Sequence, residues 1–380
     1  VPHESIGSGA ISIIGALPGE ILSGNIGKGP CELGNAVMAH NAGLAADWGV
    51  PLGGLFGLIE FDGDYHFGRY DNLLIFRHDC GQWLEVGNLL CRLEQCPVPF
   101  EFSGRLNFSG EMSRSEFCVM VERAKEYIAA GDIYQVNLSH RFDSPWPAEA
   151  DAFAFYLKLR DCSPAPYAAF FDIGDRQIIS SSPECFLNLS GTRIITRPIK
   201  GTRPRYHDAG EDERSAYELI TSPKEIAELV MITDLERNDI GKVCEFGTVR
   251  VAELLKLERF AHVFHLVSTV EGRLRSDTGH THALQACFPG GSISGAPKHR
   301  ALEVISELEP VPRGLYTGAI GYFGTNNESQ FSIAIRTAVI EDGILSLHVG
   351  AGIVADSKAD CEYEETLHKA AGFFAAASQF

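Results

Sequence analysis

Residues 330–354, "QFSIAIRTAVIEDGILSLHVGAGIV", alternate apolar with polar or small side chains on both sides of Glu341-Asp342-Gly343. Period-two alternation around a turn of this chemistry predicts a β-hairpin. The neighbouring segments change period. In "SGAPKHRALEVISELEP" (294–310), Ala301, Val304, Ile305 and Leu308 recur at helical spacing, with Pro297 near the first turn. "CEYEETLHKAAGFFAAAS" (361–378) reads as a helix with its acids at the N-terminal end, where the macrodipole favours them.

Upstream, "SRSE" (113–116) is a capping box, and Phe117, Val121, Ala124 and Ile128 follow on one helical face before Gly131. "DIYQVNLSHRF" (132–142) alternates as a strand, and "QIISSS" and "CFLNL-SG-TRIITRPI" predict strands around a Ser-Gly turn. From Glu211 to Asn238 the pattern is helical, with Ile226, Leu229, Val230 and Leu235 on one side. "AISIIGAL", "GGLFGLIEF" and "NLLIFRH" predict sheet in the first hundred residues. No regular βαβ alternation emerges, so the expected class is α+β. We expect a β-rich N-terminal lobe over 1–105 packed with a catalytic region over 106–380 as one body.

The chain has 380 residues and a formal charge of −18. That balance argues against nucleic acid and against an anionic membrane surface, both of which require a basic face. A small anionic substrate is still allowed, because a few inward cations can dominate one pocket. No apolar run is long enough to span a bilayer. The ten cysteines contain no Cys-x-x-Cys pair and sit mostly in apolar contexts, which predicts buried, reduced thiols and a cytoplasmic setting. The chain opens on Val1, not Met, so native sequence upstream is expected.

Two acidic pairs stand out, Glu225/Glu228 and Glu362/Glu365, each at i, i+3 on a predicted helix. If the helices converge, four carboxylates would need a cation between them, and hard oxygens suit Mg²⁺. The same spacing is also routine on solvated helices. "TRPIKGTRPR" (196–205) places Lys200 among Arg197, Arg203 and Arg205. Lys200 is either a strand-end lysine or a reactive amine, and crowding cations would favour its neutral form. Glu184 in "SSPE" lies where it could reach the same cavity, and a carboxyl in an apolar place can act as an acid. "PGGSISGAPK" fails as a P-loop, since Ala296 stands where lysine is required, but it still offers amides and a hydroxyl to an anion. Arg336, alternating within "SIAIRTAV", would lie on one sheet face and need an anion if buried.

Ten segments in one order resemble the chorismate-utilising enzymes: "IYQVNLS", "SSPE", "RPIKGTRPR", "KEIAELVMITDLERNDIG", "HLVSTVEG", "FPGGSISGAPK", "YTGAIGYFG", "IRTAV", "GAGIV" and "EYEETLHKA". The resemblance is dense over 110–375 and loose before it. It implies an anthranilate-synthase-like chorismate-binding fold with large sheets and flanking helices. It also implies Mg²⁺ held by Glu228 and Glu365, with Glu225 and Glu362 as outer carboxylates. Arg336 and Tyr316 match the grip on the enolpyruvyl carboxylate, and Gly352 with Lys369 match the ring-carboxylate end. His265 and Ser292 match polar positions near the ring and leaving hydroxyl, Thr202 lies with the substrate-binding set, and Glu184 matches the general acid/base.

Two positions separate the family's branches. Isochorismate and salicylate synthases have a water-activating lysine where this chain has Gln135, which lacks a basic nitrogen. Anthranilate synthases have Ala in "PIAGT" where this chain has Lys200; "PIKGT" resembles the aminodeoxychorismate branch, in which the lysine is a nucleophile. Ser292, where anthranilate synthases usually have Thr, points the same way. The resemblance therefore implies amination of chorismate at C4 through Lys200, with ammonia from a glutamine amidotransferase subunit. The alternatives are an anthranilate synthase component I and a non-catalytic chorismate-binding subunit.

Overall fold

Two neighbouring strands leave one sheet and enter another side by side, and this doubled crossing organises the molecule. The computed structural model describes residues 11–28, 32–40, 49–93, 105–260 and 263–380. Arg176–Ser182 pairs with Thr337–Glu341 in a seven-stranded sheet, whereas Cys185–Ser190 pairs with Glu328–Ile333 in a ten-stranded one. The chain passes between the sheets at Pro183-Glu184 and again at Ala334–Arg336. The passages are tied by Ser181 N–H donating to Arg336 O (2.9 Å) and Ile333 N–H donating to Glu184 O (3.1 Å). Pro183 has no amide to continue a ladder, and Arg336 takes a left-handed φ of 48°, so both strands must break here.

This corrects the simple hairpin reading of 330–354. Thr337–Glu341 and Ile344–Ile353 do form a hairpin, turning at Asp342 (φ 50°) and Gly343 (φ 73°), but Glu328–Ile333 lies in the other sheet. Arg336 is consequently a crossing residue, not a ladder residue on one face.

All ladders among the described residues are antiparallel, and the mixture of large sheets and helices is the expected α+β class. Ile344–Ile353 pairs along its whole length with Gln135–Pro145. One face of that seven-stranded sheet is covered by helices: Phe155, Phe373 and Phe380 pack with Leu345 and Leu347, and Phe117, Val121, Val304 and Ile305 pack further along the same face with Ala351 and Ile353. The opposite face carries Asn137, His348, Gly350 and Gly352, which border a cavity. Gln135, Asn137 and Ser139 are buried on that face too, so Gln135–Ser144 is more continuously buried than alternation alone predicts. The ten-stranded sheet takes in the N-terminal strands Glu20–Asn25, Gly54–Ile59 and Asp64–Tyr70, and buries Phe67, Phe186, Phe323 and Phe331. The three strands read from the first hundred residues appear at Ile11–Gly15, Gly54–Ile59 and Leu73–Arg77; the helix Glu32–His40 is an addition to that reading.

The "SRSE" box caps Arg114–Ala129 as predicted, with Ser113 and Glu116 bonded reciprocally. The single helix expected over 211–238 is two, Ala209–Ile220 and Pro223–Gly241. Ser222 caps the second and Pro223 fills its first turn, so the backbone restarts there. Val230, expected on the apolar side, is exposed, and Ile232 and Glu236 turn inward instead. The described cysteines are free, as expected, but only Cys185, Cys244 and Cys287 are buried; Cys80, Cys91 and Cys361 are exposed. Cys31 and Cys96 lie outside the described residues. No described helix is long and apolar enough to cross a membrane.

Candidate active site

Between the doubled crossing and the N-termini of Pro223–Gly241 and Ala359–Gln379 lies a cavity of about 950 Å³. Three structural features aim side chains into it. The first is the crossing, which supplies Glu184 and Arg336. The second is a broken strand: Arg193–Arg197 and Ile199–Pro204 run along the same strand, Val263–Arg273, and separate at Pro198. A bulge follows at Gly201, whose φ is +71°. A side chain there would collide with Leu219 (2.6 Å) and crowd Glu225 (3.1 Å), so glycine lets Lys200 and Thr202 both border the cavity. The third is the pair of helices, bringing Glu225, Glu228 and Glu365.

On the crossing wall, Glu184 is 5% exposed. Burial pushes its carboxyl pKa up, against opposing pulls from the Ser292 hydroxyl, Lys200, the Ile199 amide and Lys369. Arg336 also lines the cavity; burial lowers its pKa and Glu184 opposes that, with no hydrogen-bonded partner contributing. A half-buried guanidinium that lines the cavity is suited to receive an anion. Tyr316 is buried and stacks on His348 at 5.5 Å, with Asn137 also lining the cavity. His265 shares a 3.0 Å hydrogen bond with Thr202, and burial followed by Arg336 lowers its pKa to about 4, so it is neutral near pH 7.

On the helical wall, Glu228 Oε2 lies 4.0 Å from Lys200 Nζ and Oε1 lies 3.9 Å from Lys224 Nζ. Lys224 also reaches Glu362 at 3.3 Å, and Lys369 pairs with Glu365 at 2.8 Å and donates to Gly350 O at 2.9 Å. Burial raises the Glu228 pKa, Lys200 and Lys224 opposing it. Burial acts on Glu365 in the same sense, but Lys369, Lys224 and Lys200 together leave it lowered. Glu362 sits beneath the wall, accepting from Ser357 Oγ at 2.7 Å. Gln135 is buried behind Gly352: a Cβ on Gly352 would collide with Gln135 Nε2 and stand 3.6 Å from Lys200 Nζ.

Twelve of the fourteen anticipated residues therefore border one cavity, with Gln135 and Glu362 immediately behind it. One expectation fails. The arginines flanking Lys200 do not crowd it, because each is matched to its own acid: Arg197 to Glu258, Arg203 to Glu225 at 3.7 Å, and Arg205 to Asp212 at 2.8 Å. Lys200 instead faces Glu228 and Glu184. Sequence reasoning misses Lys224, Asn137 and His348. Lys224 has a readable signal, standing four residues before Glu228 on one helix; Asn137 and His348 enter through strand pairing that spacing does not reveal.

The donor set suits a hard cation. Glu228 Oε1 and Glu362 Oε2 are buried oxygens with no hydrogen-bond partner. No three acidic, His or Cys side chains among the described residues are already gathered to ligating distance, and Lys224 spans the gap between Glu228 and Glu362.

Residues 58–375 match the family described as chorismate binding enzyme, and the chain belongs to that family. The chain is 48% identical over 274 residues to "Anthranilate synthase component 1" of Thermus thermophilus, covering 72% of this chain and 59% of that protein. It is 46% identical over 264 residues to "Aminodeoxychorismate synthase component 1" of Bacillus subtilis, covering 70% and 56%. The chain thus spans a little over half the length of these relatives. Its fold matches the crystal structure of anthranilate synthase component I from Streptococcus pneumoniae TIGR4 with a TM-score of 0.84 and 32% identity, over 97% of this chain and 93% of that one.

Proposed function

We propose that this chain aminates chorismate at C4, giving 4-amino-4-deoxychorismate, with ammonia delivered by a glutamine amidotransferase subunit. The observation that carries the reading is the Lys200 amine. It enters the cavity beside Glu228, at the rim of Gly352, and within the electrostatic reach of the buried acid Glu184. An anthranilate-type amination needs no amine there.

In this reading Arg336 and Tyr316 bind the enolpyruvyl carboxylate, and Lys369 with the Gly350–Gly352 backbone orients the ring carboxylate. Glu184 gives its proton to the C4 hydroxyl, which leaves as water. The Lys200 nitrogen bonds to C2, and the ring double bond shifts to expel that water; the proton the lysine nitrogen loses returns to Glu184, whose own proton left with the hydroxyl. Ammonia then bonds to C4, the double bond shifts back and the C2–Lys200 bond breaks, the departing lysine nitrogen taking a proton from Glu184 and ammonia giving one back. Each allylic displacement relays the substituent, so nitrogen ends at the carbon that lost oxygen. Acid assistance of this kind contributes about 10²–10⁴-fold. His265, neutral, and Ser292 hold hydrogen bonds near the departing group without adding charge. Mg²⁺, held by Glu228 and Glu365 with Glu225 and Glu362 behind them, would neutralise the ring carboxylate against this acidic wall.

A second reading is amination at C2 as in anthranilate synthase, favoured by the names of most curated relatives in this similarity range. Incubation with chorismate, Mg²⁺ and an ammonium salt separates the two. The expected product is 4-amino-4-deoxychorismate; free anthranilate, seen by its fluorescence without an added lyase, overturns the choice. Lys200→Ala is expected to lose 4-amination, and intact mass without ammonia to show a chorismate-derived adduct at position 200. Full 4-amination by that variant removes the covalent lysine from the mechanism.

A further inference from the structure

One buried carboxylate outside the assigned set is attached to both segments that grip the acid. Glu236 lies two turns beyond Glu228 on Pro223–Gly241 and is 3% exposed. One oxygen accepts the Gly291 amide at 3.0 Å and the other accepts the Thr196 hydroxyl at 3.3 Å. A side chain on Gly291 would meet Leu235 at 2.8 Å, so the helix lies hard against this loop. The residue after Gly291 is Ser292, and three residues after Thr196 comes Ile199; both line the cavity with Glu184, and the Ser292 hydroxyl and the Ile199 amide pull its pKa down.

A buried carboxylate is a costly way to accept one amide and one hydroxyl, since a neutral acceptor would serve. Nor is Glu236 needed to balance the nearby cations. Asp239 already pairs with Lys298 at 2.5 Å and Lys242 at 2.7 Å, and Lys298 donates to the Cys287 and Pro289 carbonyls as well.

We propose that Glu236 is a positioning residue for Glu184, fixing through Gly291 and Thr196 the two segments that hold it and placing a second carboxylate charge beside it. This rests on the reading of Glu184 as the acid.

The groups facing the pair give the sign. Burial pushes Glu236 up to about 7; Lys298 and the Gly291 amide oppose it, while Asp239 and Glu184 add to it. Around Glu184 stand Ser292, Lys200, the Ile199 amide and Lys369, with Arg336 within its field. Above about pH 7 Glu236 is an anion. A like charge disfavours ionisation of its neighbour, so it keeps Glu184 protonated to higher pH. Removing the charge lets Glu184 ionise earlier.

Ammonia-dependent turnover of the Mg²⁺-loaded protein, followed against pH, tests this. Glu236→Gln keeps the size and the acceptor for Gly291 but carries no charge. The alkaline limb of kcat is expected to move to lower pH by roughly one unit. KM for chorismate is expected to change much less than kcat measured on that limb. Glu236→Ala, which also frees the loop, is expected to lower kcat at every pH. A Glu236→Gln profile that keeps its limb, or falls evenly with pH, overturns the proposal. Glu184→Gln is run beside it: a fully active Glu184→Gln removes the acid assignment and this inference with it. An inactive Glu184→Gln with an unmoved Glu236→Gln limb removes the inference alone.

Discussion

The crossing wall and the helical wall of the cavity hold their polar groups by opposite means. At the crossing, Glu184 and Arg336 are set by backbone that passes between two sheets, and the turn carrying Tyr316 is tied to it by Thr317 N–H donating to Ala334 O at 2.8 Å. Arg313, 4% exposed, forms a two-point pair with Glu309 (2.8 and 2.7 Å) and donates to the Ile293 and Asn137 carbonyls and the Thr317 hydroxyl. One side chain thus fixes the residue after Ser292, the cavity-lining strand residue Asn137, and the turn that carries Tyr316. On the helical wall the carboxylates are held by lysines whose other side reaches solvent, as with Lys224 and Lys369. The first wall is a mould, and the second is a charge balance that a ligand can rearrange.

The comparison is broken most forcefully at Arg313. Removing one member of a buried pair leaves the other as an uncompensated charge, at a cost of about 3–5 kcal/mol. Arg313→Met is expected to lower the denaturant midpoint accordingly and to abolish Mg²⁺-dependent turnover even where the protein stays folded. A loss below about 1 kcal/mol in chemical denaturation, the range of a surface pair, would mean that the crossing wall is not rigid.

Lys224→Met sharpens the other side. An incoming cation must compete with the Lys224 ammonium for Glu228 and Glu362. Without it, half-saturation by Mg²⁺ is expected at severalfold lower concentration. The metal-free protein is expected to be less stable by about 1 kcal/mol, because unscreened carboxylates repel. Unchanged Mg²⁺ titrations monitored by thermal shift would show that the lysine and the metal use different oxygens.

The same contrast explains what can be read from the chain. Helix starts are local, so the Ser113/Glu116 box is legible, and the chemistry of the carboxylates and Lys200 is concentrated in short motifs. The crossing is not legible. Alternation continues straight through Ile333–Thr337, and nothing in it reports that the hydrogen-bond partner changes from Cys185–Ser190 to Arg176–Ser182. The environment of Lys200 is misjudged for a related reason. Its flanking arginines find Glu258, Glu225 and Asp212 on other elements, and sequence proximity counts only the charges along one strand. The break at Ser222-Pro223 is the opposite case: a cap residue followed by proline is present, but the apolar spacing on either side masks it.

The smallest expected effect tests whether the helical wall depends on its helix ends at all. Ser222 caps Pro223–Gly241 by accepting the Glu225 amide at 3.4 Å, one turn before Glu228. Replacing such a cap by alanine costs about 1 kcal/mol and frays the first turn. Here that turn carries Lys224 and Glu225, so the fray should act on the charge balance and leave the crossing untouched. Ser222→Ala is therefore expected to weaken Mg²⁺ about two- to fivefold, in keeping with a loss of this size, while the pH at which Glu184 ionises stays where it was. If instead turnover falls at saturating Mg²⁺, the two walls are mechanically coupled through the helix, and the charge-balance description of the second wall fails.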